Sequence, residues 1–219
     1  MRDKTPVYFV PGMAAGPQTF ENIHLPEDRY EIKILEWLIP EKDESLVHYA
    51  KRMAERIADP NPVLVGVSFG GVVAQEMVQF LQVRKIIIIS SVKTSEELPL
   101  RMKLTGMFKI YNVFPTATIL STDDLTKFSV GPKSKKRLQL YQKYLDVRDK
   151  IYLDWAIKQM VTWKREESVQ NLIHIHGEED QVFPIKHIQD CIVVKGGTHV
   201  MLLTKGRELS HLLEEVINK

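Results

Sequence analysis

Short apolar runs rich in valine and isoleucine recur along the chain, and polar or turn-forming residues separate each run from the next. Because almost every position within a run is apolar, the runs indicate strands that are buried on both faces, as in a parallel sheet. The pattern predicts six strands, at residues 7–10, 30–35, 62–67, 85–90, 171–175 and 191–194.

Between the predicted strands, the apolar positions repeat with the spacing of helices. A helix at about residues 44–58 has one apolar face, formed by Leu46, Ala50, Met53 and Ile57. The next, at about residues 72–81, is apolar on more than one side, as expected of a central helix, through Val72, Val73, Met77, Phe80 and Leu81. A last helix at about residues 207–218 buries Leu209, Leu212, Leu213 and Val216. This alternation predicts an α/β fold with a six-stranded, mainly parallel sheet and helices on both faces.

Residues 92–167 interrupt the alternation, because they carry helical patterns and no strand pattern. We therefore divide the chain into a core, residues 1–91 and 168–219, and a helical insertion, residues 92–167. The clearest helix of the insertion is predicted at about residues 135–163, where one stripe holds Tyr141, Leu145, Tyr152 and Trp155.

Composition and charge exclude several classes of protein. A formal net charge of +2 on 219 residues gives no general attraction to nucleic acid, so nucleic acid is not an expected partner. The single cysteine, Cys191, excludes an internal disulfide and fits a reducing compartment. The chain has no apolar run long enough to span a membrane and no secretory signal at its start. We therefore expect a cytoplasmic protein without a membrane span.

A serine lies where a predicted strand turns sharply into a predicted helix. The sequence Gly-Val-Ser-Phe-Gly at residues 66–70 follows the apolar run at residues 62–65 and precedes the central helix. This strand–serine–helix order is the nucleophile elbow, in which flanking glycines allow a turn so tight that the serine hydroxyl is exposed. Ser68 is therefore a candidate nucleophile.

A serine hydroxyl needs a base to accept its proton and a third group to orient that base. In the chain order serine, acid, histidine, the partners should follow later strands. Asp180 follows the predicted strand at residues 171–175, and His199 follows the strand at residues 191–194. We assign Asp180 as the orienting acid and His199 as the general base. The neighbouring carboxylates Glu178 and Glu179 are the alternatives for the acid.

Four motifs in this order resemble those of the α/β-hydrolase superfamily. They are Phe-Val-Pro-Gly-Met at residues 9–13, the elbow, His-Gly-x-x-Asp-x-x-x-Pro at residues 176–184, and Gly-Thr-His at residues 197–199. The resemblance implies an α/β-hydrolase fold in which the insertion forms a helical lid over the active-site edge. It also implies an oxyanion hole made by the backbone N–H groups of Phe69 and Met13.

Apolar residues of the lid are candidates to line an acyl pocket, namely Phe108, Phe114, Trp155, Met160 and Trp163. The alternative is that they only pack the lid on the core. His174 and His176 alternate along a strand and should share one face. A zinc site would need further ligands that the sequence does not group, so neither a metal nor a cofactor is expected.

These residues favour a serine hydrolase that cleaves a small-molecule ester or thioester with a small to medium apolar acyl group, through an acyl-enzyme. A first alternative is a carbon–carbon bond hydrolase or a lyase on the same triad, for which Arg101 or Arg148 could supply a cationic group. A second is a ligand-binding protein that uses the cleft without catalysis. The acyl length and the oligomeric state do not follow from the sequence.

Overall fold

One parallel sheet of six strands organises the computed structural model, which describes residues 4–109, 144 and 147–219. The strand order is β2-β1-β3-β4-β5-β6, and each neighbouring pair is parallel. The six-stranded prediction is confirmed, with differences of one or two residues at the strand ends. The strands are β1 (Thr5–Val10), β2 (Tyr30–Ile34), β3 (Val63–Val67), β4 (Lys85–Ile89), β5 (Ile173–Gly177) and β6 (Ile192–Val194).

Helices cover both faces of the sheet, and the two layers of the core follow from the alternation along the strands. Leu64 of β3 points into the layer that holds the first two helices, whereas Val63 and Val65 point into the layer that holds the last helix. The described helices are α1 (Leu46–Ala54), α2 (Phe69–Met77), α3 (Leu100–Met107), α4 (Lys150–Thr162), α5 (Met201–Thr204) and α6 (Gly206–Asn218). Short 3-10 turns lie at Pro17–Phe20, Ser95–Glu97 and Ile185–His187.

Two helix predictions need correction. The central helix ends at Met77, and its continuation tightens into turns that leave the Phe80 side chain 43% exposed. The helix predicted at residues 135–163 does not run through residues 147–149, because the Asp149 side chain accepts the backbone N–H of Tyr152 and caps a helix that begins at Lys150. Phe114, Tyr141 and Leu145 lie outside the described residues.

The strand order creates a crevice at the carboxyl edge of the sheet. β2 lies on one side of β1 and β3 lies on the other, so the loops that follow β1 and β3 lead to opposite sides of the sheet. Open α/β sheets bind their ligands at such a switch point. In this chain the loop after β1 begins at Pro11, and the loop after β3 is Ser68.

Candidate active site

Ser68 occupies a strained turn between β3 and α2. Its backbone has φ 53° and ψ −122°, a conformation that costs free energy for any residue with a side chain. The turn brings the two flanking glycines against other backbone atoms. A Cβ on Gly66 would lie 2.5 Å from the carbonyl oxygen of Gly70, and a Cβ on Gly70 would lie 2.2 Å from that of Pro11. Only hydrogen fits at either position, which explains the two glycines of the motif.

Hydrogen bonds from three directions hold the strained Ser68 backbone. Its N–H donates to the carbonyl of Ile89 at 2.9 Å, so the turn is tied to the end of β4. Its own carbonyl accepts the hydroxyl of Ser91 at 2.7 Å and the N–H of Gly71 at 2.9 Å. The serine hydroxyl is therefore presented by a rigid support, as a nucleophile requires.

The Ser68 hydroxyl forms a continuous hydrogen-bonded chain with an imidazole and a carboxylate. Nε2 of His199 lies 3.0 Å from Oγ of Ser68, and Nδ1 of His199 lies 2.9 Å from Oδ2 of Asp180. The Asp180 side chain is fully buried, and that of His199 is 10% exposed. The ring of Phe183 packs edge-on against the imidazole at 5.5 Å between centroids. These three side chains come from the ends of β3, β5 and β6 and meet at one edge of the sheet.

Asp180 is held by backbone N–H groups of its own loop. Its Oδ1 atom accepts the N–H of Val182 at 2.8 Å and the N–H of Phe183 at 2.9 Å. Burial would raise the pKa of the carboxyl, but the charge and hydrogen bond of His199 and the N–H of Phe183 outweigh it, so the pKa lies below its ordinary value. The carboxylate is therefore ionised at neutral pH. The alternatives Glu178 and Glu179 are exposed, and Glu178 instead accepts the N–H of Gly196 at 2.9 Å.

Two buried histidines of β5 lie next to the acid loop. The rings of His174 and His176 share one face of the strand, with centroids 5.0 Å apart. Burial lowers the pKa of His176, and burial beside the His176 ring and the Lys93 ammonium lowers the pKa of His174 to about 2. Both rings are consequently neutral at physiological pH. Nε2 of His176 is 3.6 Å from Oδ2 of Asp180.

Two backbone N–H groups beside Ser68 have the character expected of an oxyanion hole. Among the residues that the structure describes, neither the N–H of Phe69 nor that of Met13 has a hydrogen-bond acceptor. Phe69 is the first residue of α2, where the helix dipole favours negative charge. Gly12 lies so close to Ser68 that a Cβ on it would be 3.6 Å from Cβ of the serine. The loop that carries Met13 therefore borders the serine.

Trp37 orients this loop, a contact that sequence reasoning missed. Its indole Nε1 donates to the carbonyl of Gly12 at 3.1 Å, and that carbonyl also accepts the N–H of Ala15 at 3.1 Å. In a trans peptide the N–H points away from the carbonyl, so these bonds direct the N–H of Met13 to the other side. The signal in the sequence was an aromatic residue just beyond the carboxyl end of a predicted strand.

Aromatic rings dominate the surroundings of the elbow. The ring of Trp37 lies 5.7 Å from that of Phe69 and 5.3 Å from that of Tyr152, and the ring of Trp155 lies 6.0 Å from that of Phe69. Trp37 and Met13 are only partly buried at the margin of this cluster. Such contacts give the neighbourhood of Ser68 an apolar character.

The predicted pocket residues fall into two groups. Trp155, Met160 and Trp163 are residues of the insertion that are buried against the core, where the indole N–H groups of Trp155 and Trp163 donate to the Glu44 carbonyl and the Glu76 carboxylate. Phe108 follows α3 and is 66% exposed. Phe114 lies outside the described residues. Among the four that the structure describes, Trp155 is the one with a ring contact to the elbow residue Phe69.

Within the described ranges, one group of three side chains could ligate a metal ion, namely Glu41, Glu44 and His48. The Glu44 carboxylate already accepts hydrogen bonds from Nη1 of Arg52 at 2.8 Å and from the N–H of Glu41 at 2.8 Å, and it lies 2.7 Å from Nδ1 of His48. We therefore interpret the group as an ion-pair network at the start of α1. In the part of the chain that the structure covers, no helix has the length and apolar character to cross a membrane.

Solved structures with this architecture match nearly the whole chain. A hydrolase from Oleispira antarctica has a TM-score of 0.74 at 11% identity, over 99% of this chain and 92% of its own. A bromoperoxidase from Bacillus anthracis has a TM-score of 0.73 at 18% identity, over 99% and 93%. A structure from a study of carboxylesterases of the thaumarchaeon Nitrososphaera gargenis has a TM-score of 0.72 at 14% identity, over 98% and 90%.

These neighbours share the fold of this chain, which is the α/β-hydrolase fold that the four sequence motifs predict. The chain belongs to the uncharacterised protein family UPF0227, whose sequence profile matches residues 18–200. No curated protein sequence matches the chain.

Proposed function

We propose that the protein is a serine hydrolase that cleaves a carboxylic ester or thioester with a small to medium apolar acyl group. The observation that carries the proposal is the hydrogen-bonded chain from Ser68 through His199 to Asp180, with distances of 3.0 and 2.9 Å. Esterases and hydrolases among the structural neighbours support the same class of reaction.

The geometry supports a two-step reaction. Nε2 of His199 accepts the proton of Ser68 as the hydroxyl attacks the substrate carbonyl, and the ionised Asp180 stabilises the imidazolium that forms. The N–H groups of Phe69 and Met13 stabilise the negative charge on the carbonyl oxygen. His199 then protonates the leaving alcohol or thiol, which leaves an acyl group on Ser68. Water, deprotonated by His199, releases the acid and restores the enzyme.

An apolar acyl group is supported by the rings that surround the elbow. The partly buried Trp37 and Met13 lie at the margin of an aromatic cluster that includes Phe69 and Tyr152. A small apolar acyl group in contact with such rings is removed from water, which favours binding. We also propose that residues 92–167 act as a lid on the core formed by residues 1–91 and 168–219. Contacts between α3 and the loop of Asp180 support that role.

The proposal is tested with an active-site-directed probe and a chromogenic substrate. A fluorophosphonate should label the wild-type protein, and p-nitrophenyl butyrate should be hydrolysed with a burst of p-nitrophenol. Ser68→Ala should abolish labelling and lower kcat by about three orders of magnitude or more. Ser168→Ala, which changes an exposed serine, is the matched control and should react like the wild type. Undiminished labelling of Ser68→Ala would refute the assignment.

The two alternatives make different predictions. A carbon–carbon bond hydrolase would cleave a diketone, with products that chromatography identifies, and would process esters poorly. A binding protein without catalysis would retain an ester unchanged and would show no burst. An acyl-chain-length series of esters and thioesters therefore decides both the chemistry and the acyl size.

A further inference from the structure

Two peptide groups of the acid loop, residues 180–183, connect the Asp180 carboxylate to the guanidinium of Arg101. The N–H of Val182 and the carbonyl of Gln181 belong to one peptide group, and the N–H of Phe183 and the carbonyl of Val182 belong to the next. Both N–H groups donate to Oδ1 of Asp180, at 2.8 and 2.9 Å. Both carbonyls accept hydrogen bonds from a single atom, Nη2 of Arg101, at 2.8 and 3.0 Å.

Arg101 comes from a distant part of the chain. It lies in the first turn of α3, within the insertion, and its contacts reach across 80 and 81 residues of sequence. The sequence analysis named it, with Arg148, as a cationic group that a carbon–carbon bond hydrolase or a lyase could use. In the structure its guanidinium donates to two carbonyls of the loop that carries the acid, on the side away from the carboxylate.

Two parallel chains of hydrogen bonds therefore run from a cation to an anion. In each, an N–H of Arg101 donates to a peptide carbonyl, and the N–H of the same peptide donates to the carboxylate of Asp180. A positive charge at the carbonyl end polarises the peptide and strengthens the hydrogen bond at its other end. The same contacts oppose rotation of the two peptides, which would withdraw their N–H groups from Oδ1.

We propose that Arg101 is a positioning residue, which holds Asp180 in register with His199 through the two peptide groups of residues 181–183. This inference rests on the proposed function, since it assigns a role within the same triad. If Arg101 has this role, full activity requires that α3 contacts the acid loop. An insertion that only covered the cleft would have no such effect on the chemical step.

The first experiment compares Arg101→Ala with Lys103→Ala in the hydrolysis of p-nitrophenyl butyrate. Lys103 lies on the same helix, and its Nζ donates to the carbonyl of Glu96 at 2.8 Å, away from the acid loop. We expect Arg101→Ala to lower kcat about 10- to 100-fold with little change in KM, because small displacements of a catalytic group cost that much. Lys103→Ala should keep the kcat of the wild type. Methylguanidinium ion should restore part of the lost kcat in Arg101→Ala and should not change the kcat of Lys103→Ala.

The second experiment asks whether Arg101 acts through Asp180. In a double-mutant cycle, Arg101→Ala should cost much less in an Asp180→Asn background than in the wild type. The rate of fluorophosphonate labelling supplies the readout where turnover is slow. An equal cost in both backgrounds overturns the inference, and so does an effect confined to KM, which would indicate contact with substrate.

A further variant covers the case in which Arg101→Ala does not fold. Arg101→Lys keeps the charge but replaces the planar guanidinium with a single ammonium, so kcat should still fall several-fold at an unchanged melting temperature. Activity equal to wild type in this variant refutes the proposal. Failure of the proposed function is distinguishable, since the wild type and every Arg101 variant would then resist labelling at Ser68.

Discussion

Nε2 of His176 lies 2.8 Å from the carbonyl oxygen of Phe183. A carbonyl can only accept, so this nitrogen carries the proton. Because burial lowers the pKa of His176, the ring is neutral and its Nδ1 is an acceptor. Nε2 of His174, 3.1 Å away, must then be the donor. The two histidines form a chain of defined tautomers that ends on the residue whose N–H holds Asp180.

Replacing His176 should destabilise the protein. In His176→Ala, the Phe183 carbonyl loses its donor and the His174 N–H loses its acceptor, both in a buried site. The expected loss in the free energy of unfolding is about 2–4 kcal/mol, from the unpaired groups and the cavity. His176→Gln, whose amide can donate and accept, should lose less than His176→Ala. Urea denaturation at pH 7.5 measures both.

The control for this comparison is His211→Ala, which removes an exposed histidine of α6. It should change the free energy of unfolding by less than about 0.5 kcal/mol. If His176→Ala and His211→Ala are equally stable, the proton chain that ends at Phe183 contributes nothing.

Stability should also fall as the pH drops from 7 to 5, through His174. Its pKa is about 2 in the folded protein and 6.5 ordinarily, because it is buried beside His176 and Lys93. Below pH 6.5 the unfolded chain therefore binds a proton that the folded chain does not. This difference should lower the free energy of unfolding by about 2 kcal/mol between pH 7 and pH 5. His176, whose pKa is also lowered, acts in the same direction.

Urea titrations of wild type and His174→Gln at the two pH values test this prediction. The Gln side chain can still donate to His176 but does not titrate, so His174→Gln should lose about 2 kcal/mol less than the wild type on acidification. The carboxyls with lowered pKa, Asp180 and Glu44, add their own losses mainly below their ordinary values of 3.8 and 4.5. Parallel losses in the two proteins would contradict a buried, neutral His174.

The fold could be predicted because burial on both faces leaves a distinctive trace in a sequence. β4 is a run of four isoleucines after Lys85, and every residue of β3 is buried. The positions of Ser68, Asp180 and His199 were predictable for a related reason. Each follows a strand, and the carboxyl ends of parallel strands share one edge, so residues distant in sequence are brought together by topology alone.

The contacts that support these residues could not be predicted from periodicity. Trp37 donates to one carbonyl oxygen and Arg101 to two, and no pattern of apolar spacing records where a guanidinium or an indole N–H points. The start of α4 did have a signal in the sequence, the helix-capping residue Asp149, but the helical spacing of apolar residues continues past it. Asp149 caps the helix from outside it, although the apolar stripe extends further towards the N-terminus.

Glu76 of α2 should be essential for holding the last residues of the insertion, Trp163 and Arg165, against the core. Its buried carboxylate accepts the Trp163 indole N–H at 3.0 Å and Nη2 of Arg165 at 3.0 Å. Glu76→Ala leaves both donors without this acceptor, so the free energy of unfolding should fall by about 3–5 kcal/mol. Glu215→Ala breaks an ion pair with Lys219 whose side chains are 57% and 69% exposed, and it should change stability by less than about 1 kcal/mol. If Glu76→Ala and Glu215→Ala change the free energy of unfolding equally in chemical denaturation, the buried contacts of Glu76 do not stabilise the protein.

Trp37→Phe should weaken the oxyanion hole without disturbing the aromatic cluster. A phenyl ring can still pack on Phe69, but of the two donors that the described residues offer to the Gly12 carbonyl, only the N–H of Ala15 remains. The Gly12–Met13 peptide is then free to rotate, and the N–H of Met13 is less well directed at the developing charge. We expect kcat for p-nitrophenyl butyrate to fall about 3- to 10-fold, less than the 100-fold or more typical of losing an oxyanion donor outright.

Tyr49→Phe separates this effect from general loosening of the same loop. The Tyr49 hydroxyl donates to the carbonyl of Leu38 and accepts its N–H, both at 2.9 Å, so the variant frees the loop one residue beyond Trp37 without touching Gly12. Its kcat should stay within about twofold of wild type, since no oxyanion donor is reoriented. A higher KM with unchanged kcat in Trp37→Phe would instead make the indole part of the acyl pocket. An equal fall in kcat in both variants would mean that the Trp37 hydrogen bond has no special relation to Met13.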